Sequence, residues 1–248
     1  MKIKFASAAA AVAMAFAAQV AHAEETPEIT LTGSAAVVSQ YRFRGISQSD
    51  QKPAVQMSVT ATHKSGFYVS VWGSSASAGQ SAVNIGGTEI DVYGGYSKAF
   101  AGITFDGGVY GYIYPGAPAG NYYELYGSVS KTIGPVSAKA GLYWAPKQDY
   151  FTTFGTATKF SVYKYADLSF AVPETPLTFT AHIGHTAGGF AWTKPYMDYS
   201  VGVAYKIKAI TVGAQLVGTN VSKADAGGTN EMYRATKTAA VLSLTASF

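Results

Sequence analysis

The chain has no cysteine. Disulfides and thiolate metal sites are therefore excluded. Charge is scarce as well: Asp, Glu, Lys and Arg make up 13% of the 248 residues, against about 25% in ordinary soluble domains. The four histidines are scattered, and no zinc signature, phosphate-binding glycine loop or nucleic-acid motif is present. Beyond residue 23 no continuous apolar run approaches the roughly 18 residues that a spanning helix needs. Low charge without such a run argues against both a helical membrane protein and a highly solvated globule. It suits a sheet in which apolar side chains are spread one in two.

What is present points the same way. Eighteen tyrosines and 27 glycines suit interfacial girdles, strands and tight turns. At the start, Lys2 and Lys4 precede an apolar, alanine-rich stretch that ends in Ala21-His22-Ala23. A positive region, an apolar core and a small-x-small site make residues 1–23 a secretory signal peptide, expected to be cleaved. Residues 24–248 then remain, 248 − 23 = 225 in all, as one domain. With Lys2 and Lys4 removed the formal charge falls from +4 to +2. The basic pI therefore implies no nucleic-acid partner.

At the other end, every second residue from Ala240 to Phe248 is apolar: Ser243, Thr245 and Ser247 lie on one face, and Leu242, Leu244 and the terminal Phe248 on the other. Side chains alternate along a strand, so this strand is apolar on one side and polar on the other. A transmembrane β-barrel needs such a strand to close on its first. The closing aromatic also resembles the signal read by the outer-membrane barrel-assembly machinery, which makes Phe248 the expected contact with that partner.

Between the ends the alternation recurs roughly twelve times, about every 19 residues. Strands are expected to start near Ile29, Pro53, Phe67, Thr88, Ile103, Tyr122, Val136, Lys159, Leu177, Tyr196, Ile210 and Ala235. Links at 63–66, 99–102, 133–135, 173–176 and 206–209 are short. Those at 42–52, 77–87, 115–121, 146–157, 186–195 and 220–234 are longer, and rich in glycine and polar residues. Strict long–short alternation is what a barrel with both termini on one side requires: short periplasmic turns, long extracellular loops and an even strand number. The expected fold class is all-β: a transmembrane antiparallel up-and-down β-barrel of about twelve strands, set in outer-membrane lipid.

The segment Tyr41-Arg42-Phe43-Arg44-Gly45-Ile46-Ser47-Gln48, followed by Pro53-Ala54-Val55-Gln56, resembles the opening motif of the TorF-like porin family of Gram-negative outer-membrane proteins. The resemblance continues through Ser65-Gly66-Phe67-Tyr68, Val71-Trp72-Gly73-Ser74 and Glu89-Ile90-Asp91-Val92-Tyr93-Gly94-Gly95-Tyr96. It recurs at Tyr112-Ile113-Tyr114-Pro115-Gly116 and Tyr123-Glu124-Leu125-Tyr126-Gly127, and from Val136 onward only the pattern remains. The resemblance implies a barrel and a pore. It assigns no catalytic, ligand or cofactor residues.

Parity assigns the faces. Ile29, Leu31, Ala35 and Val37 face lipid, so Thr30, Thr32, Ser34 and Gln40 face the lumen. If that strand continues, Arg42 and Arg44 point inward and Tyr41 and Phe43 outward. The same counting puts Glu89, Asp91, Glu124, Asp198 and Lys237 inside, toward the extracellular end. This gives a basic cluster at the seam (Arg42, Arg44, Lys237) with acids elsewhere around the ring. Such charges either orient and select polar solutes in a narrow pore, or pair and fill the lumen. Nearer the periplasm Asp106, Lys139, Asp167 and Lys206 face inward, with His182 at mid-depth. Lys164 shares parity with Val162, Leu168 and Phe170, so either a bulge shifts the register or the side chain snorkels along the lipid face.

Three functions fit such a barrel: a passive channel for small polar solutes, which the charge pattern favours; a non-conducting structural or adhesive barrel; and a lipid hydrolase. The last needs a histidine within reach of a hydroxyl and oriented by a third group. Only His63, His182 and His185 are available after residue 23. No cofactor is expected.

Overall fold

The computed structural model describes residues 28–78, 83–153, 160–191 and 194–248. The expected leader, residues 1–23, lies outside them, as does Lys159. Twelve antiparallel strands close into one barrel: β1 (Ile29–Val38), β4 (Ala54–His63), β5 (Phe67–Ser75), β6 (Thr88–Phe100), β7 (Ile103–Ile113), β8 (Tyr122–Ile133), β9 (Val136–Ala145), β10 (Ser161–Ala171), β11 (Leu177–Gly188), β12 (Tyr196–Ile207), β13 (Ile210–Thr219) and β14 (Ala239–Ser247). Each pairs with its sequence neighbour, and β14 returns to β1 in the register Ser34↔Ser247 to Val38↔Ser243. Phe248 extends the seam: its N–H donates to Gly33 O at 3.0 Å, and Gly33 N–H donates to its carbonyl at 2.8 Å. Two further short strands, β2 (Arg42–Phe43) and β3 (Ile46–Ser47), pair only with each other.

The period-two pattern produces this architecture. Phe67, Val69 and Val71 are exposed on the outer face, while Ser70 between them is 1% exposed inside. The outer face as a whole is an apolar belt that includes Leu31, Val59, Phe105, Leu168, Val201, Leu242 and Leu244. In water such a surface would be unstable, and in lipid it is the solvated one. The rim with residues 64–66, 101–102, 134–135, 172–176 and 208–209 carries the short turns and both strand termini. It is the periplasmic rim in the ordinary orientation of such barrels.

The structure corrects three expectations, on the start of the last strand, on Lys237 and on Tyr41 and Phe43, and decides between the two readings of Lys164. The last strand begins at Ala239 rather than Ala235, because a short helix, α1 (Asn230–Thr236), forms behind a Thr229 N-cap whose side chain accepts from Met232 N–H. Lys237 is therefore the C-cap of that helix, with an exposed side chain lying over the Tyr233 ring, and not a lumenal residue on β14. Register along β10 is unbroken against both β9 and β11, so no bulge surrounds Lys164 and it points outward. The third concerns Tyr41 and Phe43, which turn into the lumen.

The loops at the extracellular rim are tied to one another. Lys194 meets Asp225 at 2.9 Å, and Arg234 meets Asp50 at 3.2 Å. The Ser222 hydroxyl, and then Lys194, hold the Asp225 carboxyl below the usual carboxylate range.

Candidate functional site in the barrel lumen

After Val38 the chain leaves the wall. Residues Phe43-Arg44-Gly45-Ile46 form a two-residue hairpin whose central positions both have positive φ, 47° at Arg44 and 80° at Gly45. That is the demand of a type I′ turn, which glycine meets freely and arginine only under strain of about 1–3 kcal/mol. The hairpin enters the barrel and spans it. A Cβ on Gly45 would lie 2.5 Å from Thr219 Cγ2 and 2.8 Å from both Asp198 Cβ and Gly218 O, so only glycine fits against β12 and β13. Tyr41 packs on Trp72 of β5, with ring centroids 5.3 Å apart, and Phe43 meets Tyr112 of β7 edge-on at 5.6 Å. Their aromatic rings find partners inside that lipid would not offer, which is why the outward parity fails here.

Arg44 carries the strongest contact. Its Nη2 is 2.5 Å from Glu124 Oε2 on β8, and the side chains are 5% and 0% exposed. Tyr112 donates to the same carboxylate oxygen at 2.9 Å. The guanidinium also lies over Tyr163 at 4.3 Å and Phe43 at 4.7 Å, a geometry that suits a desolvated arginine. Arg42 differs. Its Nε donates to Gln40 Oε1 at 2.9 Å, and its Nη1 to the carbonyls of Gly45 and Lys237 at 2.7 and 2.8 Å. All three acceptors are neutral. The expected seam cluster is thus dispersed: Arg44 crosses the lumen, Arg42 stays near the seam, and Lys237 contributes a carbonyl instead of an ammonium.

The acids face inward and are buried, 2% exposed at Glu89, 3% at Asp91, 0% at Glu124 and 2% at Asp198. Tyr114 donates to Glu89 at 3.1 Å, and Tyr110 to Asp91 at 2.9 Å. Asp198 meets His182 Nε2 at 3.0 Å, Asp167 meets Nδ1 at 2.6 Å, and Tyr163 OH lies within reach of both Asp198 and His182. Carboxylates only accept, so each His182 contact needs a proton. Among the described residues no serine hydroxyl bonds His182. His63 Nδ1 bonds Ser65 Oγ at 2.8 Å in a periplasmic turn, and no described acid bonds its other nitrogen.

An inward ladder of tyrosines was not expected. Tyr110 and Tyr93 stack at 4.4 Å, Tyr112 and Tyr122 at 4.2 Å, and Tyr143 continues the ladder to Tyr165 on β10 at 6.0 Å. Parity held the signal, since these tyrosines share the face of the lumenal acids, but tyrosine also suits interfacial girdles. Lower down, the Tyr126 hydroxyl lies over Gly95 and Gly108, 2.6 Å from where either Cβ would sit. Tyr68 bonds both Tyr126 and Asp106 there.

Hairpin and ladder divide the lumen. Above, Tyr112, Tyr114 and Tyr122 pack with Phe43, Tyr150 and Phe190 into an aromatic layer. Below lies a cavity of about 600 Å³. It is bounded by Arg42, Lys139, Tyr143, Tyr165, His182 and Gln215, among others. Further toward the periplasm Thr30, Thr32 and Lys206 are exposed.

A closed barrel with an apolar belt, a polar lumen and an inward hairpin defines a porin-like outer-membrane β-barrel. Residues 22–248 match the family described as bacterial protein of unknown function (Gcw_chp), and the chain belongs to that family. No match was found among curated proteins. Among solved structures, a NanC porin is similar over 88% of this chain and 99% of its own, with a TM-score of 0.58 at 11% identity. A KdgM porin in complex with disordered oligogalacturonate covers the same shares at 0.56 and 10%. An outer-membrane channel from Pseudomonas putida F1 is similar over 93% of this chain and 100% of its own, at 0.52 and 12%. At these identities the likeness is one of fold.

Proposed function

We propose that the protein is an outer-membrane channel for passive diffusion of small polar or charged solutes, as the TorF-like resemblance implies, and that the β2–β3 hairpin is its constriction. The observation that carries this reading is the way the hairpin is held. It shares no ladder with the barrel wall and is fixed across the lumen by side chains, chiefly Arg44 on Glu124. A segment anchored in that way can leave without breaking the sheet. The solute path then runs past Arg42, Arg44 and Asp198, with Glu89, Asp91 and Glu124 on the wall behind the hairpin. Export with removal of residues 1–23 belongs to the same reading.

The aromatic layer around Phe43 favours a second reading, a barrel that never conducts. Planar-bilayer recordings separate the two. The wild-type protein should give small or rare conductance steps, and a variant with residues 41–48 replaced by a short glycine–serine linker should give large, sustained ones. Silence from the folded linker variant establishes the filled barrel.

Assembly is the partner side of the proposal. Deleting Phe248 would also remove two seam hydrogen bonds, so Phe248→Ala is the cleaner test. Its backbone is kept, and only the exposed ring that the assembly machinery reads is lost. The expected outcome is a severalfold lower outer-membrane level with unchanged urea stability of the protein that does insert. Wild-type levels would exclude the ring as a signal.

A further inference from the structure

The acids of the barrel strands keep to one face while the lysines divide, Lys139 and Lys206 turning to the lumen with the acids and three others turning outward. All six acids on the described barrel strands (Glu89, Asp91, Asp106, Glu124, Asp167 and Asp198) face the lumen. Lys98, Lys131 and Lys164 face lipid. An outward Lys costs about 2–4 kcal/mol at the bilayer midplane and about 0–1 near the interfaces, and their positions follow that rule. Lys98 and Lys131 stand two residues from the periplasmic ends of β6 and β8. Lys164 stands three residues from the extracellular end of β10, about 10 Å along the strand.

Lys164 is not alone. Its direct cross-strand partner is His185 on β11, which shares the outward parity of Ile183 and likewise stands three residues from the strand's extracellular end, Gly188. The row continues on either side into Leu142 and Met197. Neither Lys164 nor His185 has a hydrogen-bond or ion-pair partner among the described residues, and no described strand offers an acid on this face. Two basic side chains directly opposite one another contribute nothing favourable to strand pairing. In a low-dielectric belt they call for an anion from outside the chain.

We infer that Lys164 and His185 form a clamp for a phosphate group of the outer-leaflet glycolipid. Depth and charge select this occupant. The pair lies just below the extracellular rim, where the phosphates of a bis-phosphorylated glycolipid meet the acyl region, and Leu142 and Met197 offer flanking surface to its chains. The Lys ammonium and an imidazole N–H donate to the phosphate oxygens, and charge-assisted bonds of this kind are the strong ones. Ordinary snorkelling of Lys164 to the interface would need neither His185 nor a phosphate.

The test is lipid binding by the purified, folded full-length barrel in detergent, followed by native mass spectrometry. Bis-phosphorylated lipid A should bind at least about tenfold more tightly than its dephosphorylated form. That preference should fall to near unity in the Lys164→Leu/His185→Leu variant and be retained in Lys164→Arg. Leucine suits the lipid face, so folding should survive, and heat-modifiable electrophoretic mobility reports it. Should the double variant still fail to fold, Lys164→Leu alone carries the test, with a partial loss expected. Lys98→Leu/Lys131→Leu, at the opposite rim, should leave the preference unchanged. Inorganic phosphate at millimolar concentration should not displace the lipid, since the clamp reads phosphate together with acyl chains. An undiminished preference in the folded double variant, equal loss in the Lys98/Lys131 variant, or displacement by free phosphate overturns the proposal.

Discussion

Glu124→Ala should convert the protein into a persistently open channel. Substitution leaves the Arg44 guanidinium in a site where its side chain is 5% exposed, with no carboxylate and without the acceptor it shares with Tyr112. Breaking a buried ion pair from one side costs about 3–5 kcal/mol. The strained φ at Arg44 is retained only while the docked contacts hold it, and it adds about 1–3 kcal/mol in favour of release. Against this the hairpin offers the close fit of Gly45 and the rings of Tyr41 and Phe43. Because each 1.4 kcal/mol is about a factor of ten, the ratio of docked to released hairpin should fall by two powers of ten or more. Sustained conductance severalfold above wild type is expected, together with new protease sensitivity within residues 41–52. The barrel itself should stay folded, since its ladder does not include the hairpin. Glu124→Gln, which still accepts from both Arg44 and Tyr112, should have a much smaller effect. Wild-type conductance and protease resistance in a folded Glu124→Ala protein would mean that the hairpin is held by packing alone.

The same argument explains why the fold was more legible than the site. Barrel strands obey one local rule, alternation, repeated until the sheet closes, and each repeat reads the same lipid outside. The starts at Ile29, Phe67, Thr88, Tyr122, Leu177 and Tyr196 could therefore be placed to the residue. Parity continued to assign Glu89, Asp91, Glu124 and Asp198 to the interior. It failed where the backbone left the wall, because alternation has meaning only along a strand. Tyr41 and Phe43 look lipid-facing on a continued β1, yet the Arg44-Gly45 pair sets a turn that carries both inside. A glycine between two short alternating runs is the local signal for such a turn. Nothing local shows that the hairpin folds inward, since that depends on Glu124, 80 residues away. Lys237 failed for a different reason. Thr229 caps a short helix ahead of the last strand, and residues 230–236 carry no alternation to mark where the strand begins. His185 beside Lys164 was open to parity counting, but the pairing of β10 with β11 fixes their contact only once the register is known.

Charge compensation also changes which arginine should set ion selectivity. Arg44 and Glu124 form a neutral pair, so removing both together leaves the net lumenal charge unchanged. Arg42 is bonded only to neutral oxygens, and Lys139 lines the same cavity with no ion pair among the described residues. The acids on this wall are otherwise engaged, Asp167 and Asp198 by His182. Arg42 and Lys139 are thus the cations of this cavity whose field reaches a passing ion, with Lys206 further toward the periplasm. Arg44→Ala/Glu124→Ala should raise conductance and leave the reversal potential in a salt gradient close to that of the wild-type steps, whereas the hairpin-replaced channel, which lacks Arg42 and keeps Glu124, should be the more cation-selective. Adding Arg42→Ala and Lys139→Ala to that open background should move the reversal potential toward the cation-selective limit. The Debye length is about 10 Å at 0.1 M salt and about 3 Å at 1 M. The shift should therefore be large in dilute salt and nearly vanish in concentrated salt, while the conductance gain from releasing the hairpin persists in both. Each cation should contribute separately. Arg42→Ala alone should give part of the shift, and Arg42→Lys, which keeps the charge but not the fork to Gly45 and Lys237, should give none. If the fourfold variant keeps the reversal potential of the double variant at low salt, the ions do not pass Arg42 and Lys139, and the path past this face of the lumen has to be abandoned.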